Sequence, residues 1–151
     1  MATREPIYAA LADLVFNDPR IQAEFVLTGR FLYHHAQIPG GSAATPAIFL
    51  VQNPGETHFR TGKGIDDKRT LKCHFVMYFY TADVTSNLPA TACNTGLDVI
   101  DDVLNQPGNP GNVQTLGGLV EHVYLEGEVV TGEGLLQDYS VVGVPITILI
   151  P

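Results

Sequence analysis

From Thr70 to Asp83 the chain reads TLKCHFVMYFYTAD, and no other stretch restricts the fold as tightly. Leu71, Cys73, Phe75, Met77 and Phe79 occupy every second position, with Lys72, His74, Val76, Tyr78 and Tyr80 between them. Side chains alternate faces along a strand but recur every 3.6 residues along a helix. The spacing therefore predicts a long strand with one wholly apolar face, which needs a second layer to bury it. The other face is amphipathic rather than simply wet, and its Tyr and His residues suit a protein–protein contact.

Two amphipathic helices are expected to form the second layer. Residues 3–16 carry Ile7, Ala10, Leu11, Leu14 and Val15 at the spacing of one helical stripe, with Thr3 as N-cap and Pro6 tolerated in the first turn. The turn sequence NDPR (17–20) ends this helix. A second helix is predicted from about Thr91 to Gln106, with Cys93, Leu97, Ile100 and Leu104 inward and Asp98, Asp101 and Asp102 outward. The segment QPGNPGN (106–112) stops it.

The remaining segments read as strands and loops. FVLTGRFLYHH (25–35) places Phe25, Leu27, Phe31 and Tyr33 on one face, IPGGSAATP (38–46) is a loop, and AIFLV (47–51) suits a strand covered on both faces. Two long strands, about 118–130 and 138–150, are expected to be joined by the turn TGEGLLQD. The first turns Val123, Leu125 and Val129 inward and His122, Tyr124, Glu126 and Glu128 outward. In the second, Val142, Val144, Ile146, Ile148 and Ile150 share a face, and Pro145, which cannot donate to a ladder, marks an edge or a bulge near Gly143. NPGETHFRTGKGIDDKR (53–69) resembles neither pattern and is expected to project as a hairpin or arm at about 54–69. The whole chain, 1–151, then forms one α+β domain: a mainly antiparallel sheet with two helices packed on one face.

Charge is unevenly placed. Five of the eight basic residues (Arg60, Lys63, Lys68, Arg69 and Lys72) fall between positions 60 and 72, whereas Cys73 to Pro151 holds nine acids and no Lys or Arg. With a net charge of −8, sequence-specific nucleic-acid binding is not expected. The opening segment MATREPIYAALADLVF lacks the pattern of a secretory signal, and the longest apolar run, VVGVPITILI (141–150), is too short for a membrane-spanning helix. Both features point to a chain made in the cytoplasm without a membrane partner. Cys73 and Cys93 then read as reduced thiols, although a disulfide between them is not excluded by spacing alone.

Signals for chemistry are sparse. His34 and His35 are adjacent on a predicted strand and point to opposite faces, as do Cys73 and His74, so neither pair forms a site. Asp98, Asp101 and Asp102 cluster on a helix face without a second ligand set, and TGKGID lacks the spacing of a phosphate loop. No catalytic residue, cofactor site or metal site is therefore expected. An alternative is a small ligand-binding or hydrolytic domain using His34, His74 or His122 with an acid in a sheet-lined pocket.

The closing segment QTLGGLVEHVYLEGEVVTGEGLLQDYSVVGVPITILIP (114–151) resembles the end of the phage tail terminator family, the tail-completion proteins of long-tailed phages. The likeness is carried by Thr115, Leu116, Gly117, Gly118, Val120, His122, Glu126, Gly127, Glu128, Thr131, Glu133, Gly134, Pro145 and Ile146. Weaker similarity covers REPIYAAL, AIFLVQ, KCHFVMYFYT and LDVIDDVL, while the 54–69 arm and NLPATAC (87–93) lack a family signature.

The resemblance implies a structural virion protein in the neck: a homo-oligomeric ring, a hexamer, assembled in the host cytoplasm without a cofactor. Such a ring caps the completed tail tube, stops addition of tube protein and presents a surface to the head-side connector. DNA passes through its lumen without specific binding. Candidate contacts between subunits or rings are Arg60, Lys63, Asp66, Asp67, Lys68, Arg69, Lys72, His74, Tyr78, Tyr80, His122, Tyr124, Glu126 and Glu128. The arm's cations are expected to lie near acids of a neighbouring subunit or of the adjoining tube ring.

Overall fold

The alternating segment forms β4 (Lys68–Tyr80), a central strand flanked by β2 (Ala47–Gln52) and β7 (Tyr139–Ile150). The computed structural model describes residues 3–30, 46–52, 56–59, 68–80, 88–136 and 139–150. Within them, seven strands make one sheet in the order β1-β2-β4-β7-β5, where β1 is Leu27–Gly29 and β5 is His122–Leu125. β3 (Thr57–Phe59) adds to β4, and β6 (Val130–Leu136) adds to β7. β1 and β2 pair in parallel, and the other ladders are antiparallel. The domain is α+β, as expected, with a mainly antiparallel sheet.

Three described helices, rather than two, cover one face: α1 (Arg4–Phe16), α2 (Pro19–Glu24) and α3 (Leu88–Val103). They bury Leu71, Cys73, Phe75, Met77 and Phe79 of β4 together with Val142, Val144, Ile146, Ile148 and Ile150 of β7. Both alternating sets therefore point where their period places them. On α1, Ile7, Leu11 and Val15 face the core, but Tyr8 and Ala12 complete the stripe while Leu14 is 37% exposed. Tyr8 falls outside the expected apolar stripe, yet an aromatic ring buries a large apolar body whatever its hydroxyl does. Burial pushes its phenol up to about 12.

The turn NDPR both closes α1 and opens α2. Asp18 is the N-cap, accepting the Arg20 N–H at 2.9 Å, and Pro19 occupies the first turn, where its missing donor costs nothing. Phe25 consequently ends a helix instead of starting a strand, and its ring lies 6.2 Å from that of Phe79. The strand expected over 25–35 is described only as Leu27–Gly29, and the remainder beyond Arg30 lies outside the described residues.

The C-terminal hairpin differs from the expected pair of long strands. The segment expected to be a turn is β6, so β5 and β6 lie in succession along the same side of β7, the side away from β4. The break between them falls beside Pro145. Its carbonyl accepts the Glu126 N–H at 3.3 Å, so its ring nitrogen faces the same side, where no ladder partner is needed. Gly127 sits there at φ +111°, and a Cβ on it would come within 3.4 Å of Pro145 Cγ. Pro145 thus occupies a local edge position, at the gap between β5 and β6 along β7, rather than a bulge at Gly143.

Candidate functional site

The ladder registers assemble the face of the sheet opposite the helices. Across it, Tyr124 of β5 pairs with Thr147 of β7, which pairs with Lys72 of β4. One step along, His122, Leu149 and Thr70 form a row, and His74 lies between Pro145 and Val51. Paired residues share a face. Lys72, His74, Tyr78, His122 and Tyr124, predicted from the sequence as contact residues, therefore share one face of the sheet.

That surface has two chemically distinct ends. At the polar end the His122 and Tyr124 rings lie 4.8 Å apart, both part-buried, and Lys72 is exposed two strand spacings away, about 10 Å. Desolvation raises the Tyr124 phenol, with the neighbouring Glu126 carboxylate adding to the shift. His74 is half-buried, and its desolvation lowers the imidazole and favours the neutral form. At the apolar end Ala47, Phe49 and Tyr78 are buried together, with Leu27, Val51, Val76 and Val141 packed around them. Tyr78 is only 4% exposed and meets Phe49 edge-on at 5.9 Å. It belongs to this small core rather than to an open contact surface, because its ring supplies apolar area that the sheet can bury. Tyr80 is paired with Tyr139 through the backbone register.

Glu126 and Glu128 are exposed, but not as part of an alternating strand face, since β5 ends at Leu125 and both lie in the break beside Pro145. Of the arm, Arg60, Lys63, Asp66 and Asp67 lie outside the described residues. Its flanks do form a hairpin, with His58 opposite Arg69 and Phe59 opposite Lys68. Arg69 is 7% exposed, which corrects its expected place as a projecting cation: it sits in β4, between β3 and Ile150 of β7.

The base of the arm is tied to α1. Glu56 accepts hydrogen bonds from the Arg4 guanidinium and lies 3.1 Å from His58 Nε2. Arg4 foremost, through its hydrogen bonds, holds the Glu56 carboxyl at about 2. Arg30 similarly binds Glu5 and reaches Gln52, and Arg20 joins Asp18 to Asp102 at the end of α3. Sequence periodicity carries no signal for such pairs, whose members are up to 82 positions apart.

The TLGG motif has a local physical basis that the sequence did not disclose. Gln114 is buried, and its amide donates to Val103 O at 2.5 Å and to Gln106 Oε1 at 3.2 Å, while its oxygen accepts the Leu116 N–H at 2.9 Å. This side chain holds a turn in which Leu116, Gly117 and Gly118 all have positive φ: +52°, +72° and +93°. Two successive glycines remove the steric cost of that conformation, which Leu116 alone must bear.

Cys73 is buried, which pushes its thiol up to about 12, and His74 points to the other face. Neither described cysteine is in a disulfide. Among the described residues no three His, Cys, Asp or Glu side chains come together to hold a metal, and no helix is long and apolar enough to cross a membrane. Asp98, Asp101 and Asp102 are exposed, with Asp102 bound by Arg20. His34 and His35 lie outside the described residues. No protein-family model and no curated protein matches this chain.

Proposed function

We propose that this chain is a structural virion protein that closes into a ring on the completed tail tube of a long-tailed phage. The ring, a hexamer, stops tube growth and offers its free side to the head-side connector, with DNA passing through the lumen. It works by binding, without a cofactor or a turnover step, at the neck of the virion, after assembly in the host cytoplasm. The 114–151 likeness to tail terminators supports this reading. The observation that carries it is the sheet face opposite the described helices, where His122, Tyr124, Lys72 and His74 gather beside an apolar end. Aromatic and amphipathic side chains gathered on one sheet face suit a protein–protein contact. Acids around the lumen would limit DNA retention, since phosphate contacts supply most non-specific affinity.

Sizing of the purified protein with negative-stain imaging is the direct test. Pore-bearing rings are expected. A monomer or dimer that stays so when mixed with tube protein would overturn the proposal. In a phage lacking this gene, tubes of abnormal length that fail to join heads are expected; normal tails on filled heads would exclude a capping role.

A further inference from the structure

A cleft of about 360 Å³ opens between α1 and the turn held by Gln114, on the helix side of the molecule. Its walls are apolar: Ala10, Leu116 and Leu14, the last one of three exposed large hydrophobic residues in the described chain. Gly117 lines it too, and nothing lies within 4 Å of where a Cβ would project. Asp13, Gln106 and Gln114 also line it, and the two glutamine amides are hydrogen-bonded to each other. Arg30, whose guanidinium feels the Asp13 charge, is committed to Glu5 and Gln52. A largely apolar cleft with an aspartate on its lining suits a side chain with an aliphatic stem and a cationic head.

The chain carries such a group. Lys72 is exposed on the sheet face opposite the described helices, and no described acid pairs with it, whereas Arg4, Arg20 and Arg30 are all bound to acids. The sheet separates Lys72 from the cleft of its own chain. A contact between them must join two copies, and it joins different surfaces of each, as a closed ring requires. Resting on the ring proposed above, we infer that the Ala10–Asp13–Leu14 cleft of one copy receives Lys72 of the next. The four methylenes pack on Leu14 and Leu116, and the ammonium donates to Asp13.

Charge exchange in the full-length protein tests this. Asp13→Lys and Lys72→Glu should each raise the concentration needed for ring assembly about tenfold or more, because like charges then meet across the contact. The double variant should recover most of that loss. Thermal unfolding checks that each variant folds. Should one not fold, Asp13→Cys with Lys72→Cys in a Cys93→Ser background is expected to be bridged between copies within rings by a short bis-maleimide linker, since an extended lysine stem sets the two positions beyond direct disulfide reach. If wild-type rings form but single exchanges leave assembly unchanged, or the double is no better than the singles, or the cysteines do not cross-link, the inference is wrong while the ring stands. If the wild type forms no ring, both fail.

Discussion

Gly96 lies in the middle of α3 with an ordinary helical backbone, so its need for glycine is set by packing alone. A Cβ there would stand 2.6 Å from Met77 Sδ and 3.1 Å from Phe25 Cζ. Gly96→Ala should gain about 0.8–1 kcal/mol from helix propensity. Forcing a methyl group into a filled core costs about 1–3 kcal/mol. The two effects leave a net loss of about 1 kcal/mol, read as a fall of about 2–4 °C in Tm for a chain of this size. Met77 is fully buried in the core, and the Phe25 ring lies against that of Phe79, so neither neighbour yields to a methyl group without repacking. Shortening the methionine should therefore rescue: Met77→Val with Gly96→Ala is expected to lose less than the sum of the single losses, by about 0.5–1.5 kcal/mol. Urea unfolding of the four proteins measures this cycle. A Gly96→Ala protein more stable than wild type, or strictly additive single effects, would refute the close approach of α3 to β4.

Gln114→Ala should cost about 1–3 kcal/mol by leaving the Leu116 N–H and Val103 carbonyl without their partner, and hydrogen exchange should quicken first around 114–118. Gly127→Ala combines a positive φ with a 3.4 Å approach to Pro145 and should lower stability by about 1–3 kcal/mol; unchanged unfolding would argue against the break between β5 and β6. Glu56 is held below its ordinary value of 4.5, at about 2, so its contribution is full above pH 4.5 and disappears as pH falls through that interval. Glu56→Gln should be slightly less stable than wild type at pH 7 and converge with it near pH 2 in thermal melts. Arg69→Glu should unfold the chain rather than probe an exposed arm, because it sets a carboxylate into a nearly buried position; a fully folded variant in circular dichroism would contradict that placement.

Local spacing settled much of the fold. A period of two over 71–79 and 142–150 dictates strands with a single apolar face, and no tertiary contact was needed to assign either face. The period of α1 likewise located Ile7, Leu11 and Val15 in the core, and an Asp-Pro pair was enough to end that helix. Lys72, His74, His122 and Tyr124 were also legible as one kind of surface, because each lies opposite an apolar neighbour in an alternating run. Their gathering on one face was decided by register between β4, β7 and β5, which depends on distant pairings and not on local period. The same holds for β6, where a Gly-rich sequence that reads as a turn is drawn into a ladder by β7. Local sequence could not bury Tyr78 and Arg69 either, since their burial comes from strands far apart in the chain. Period is a property of neighbours along the backbone, whereas burial, charge pairing and the cleft beside Asp13 are properties of neighbours in space.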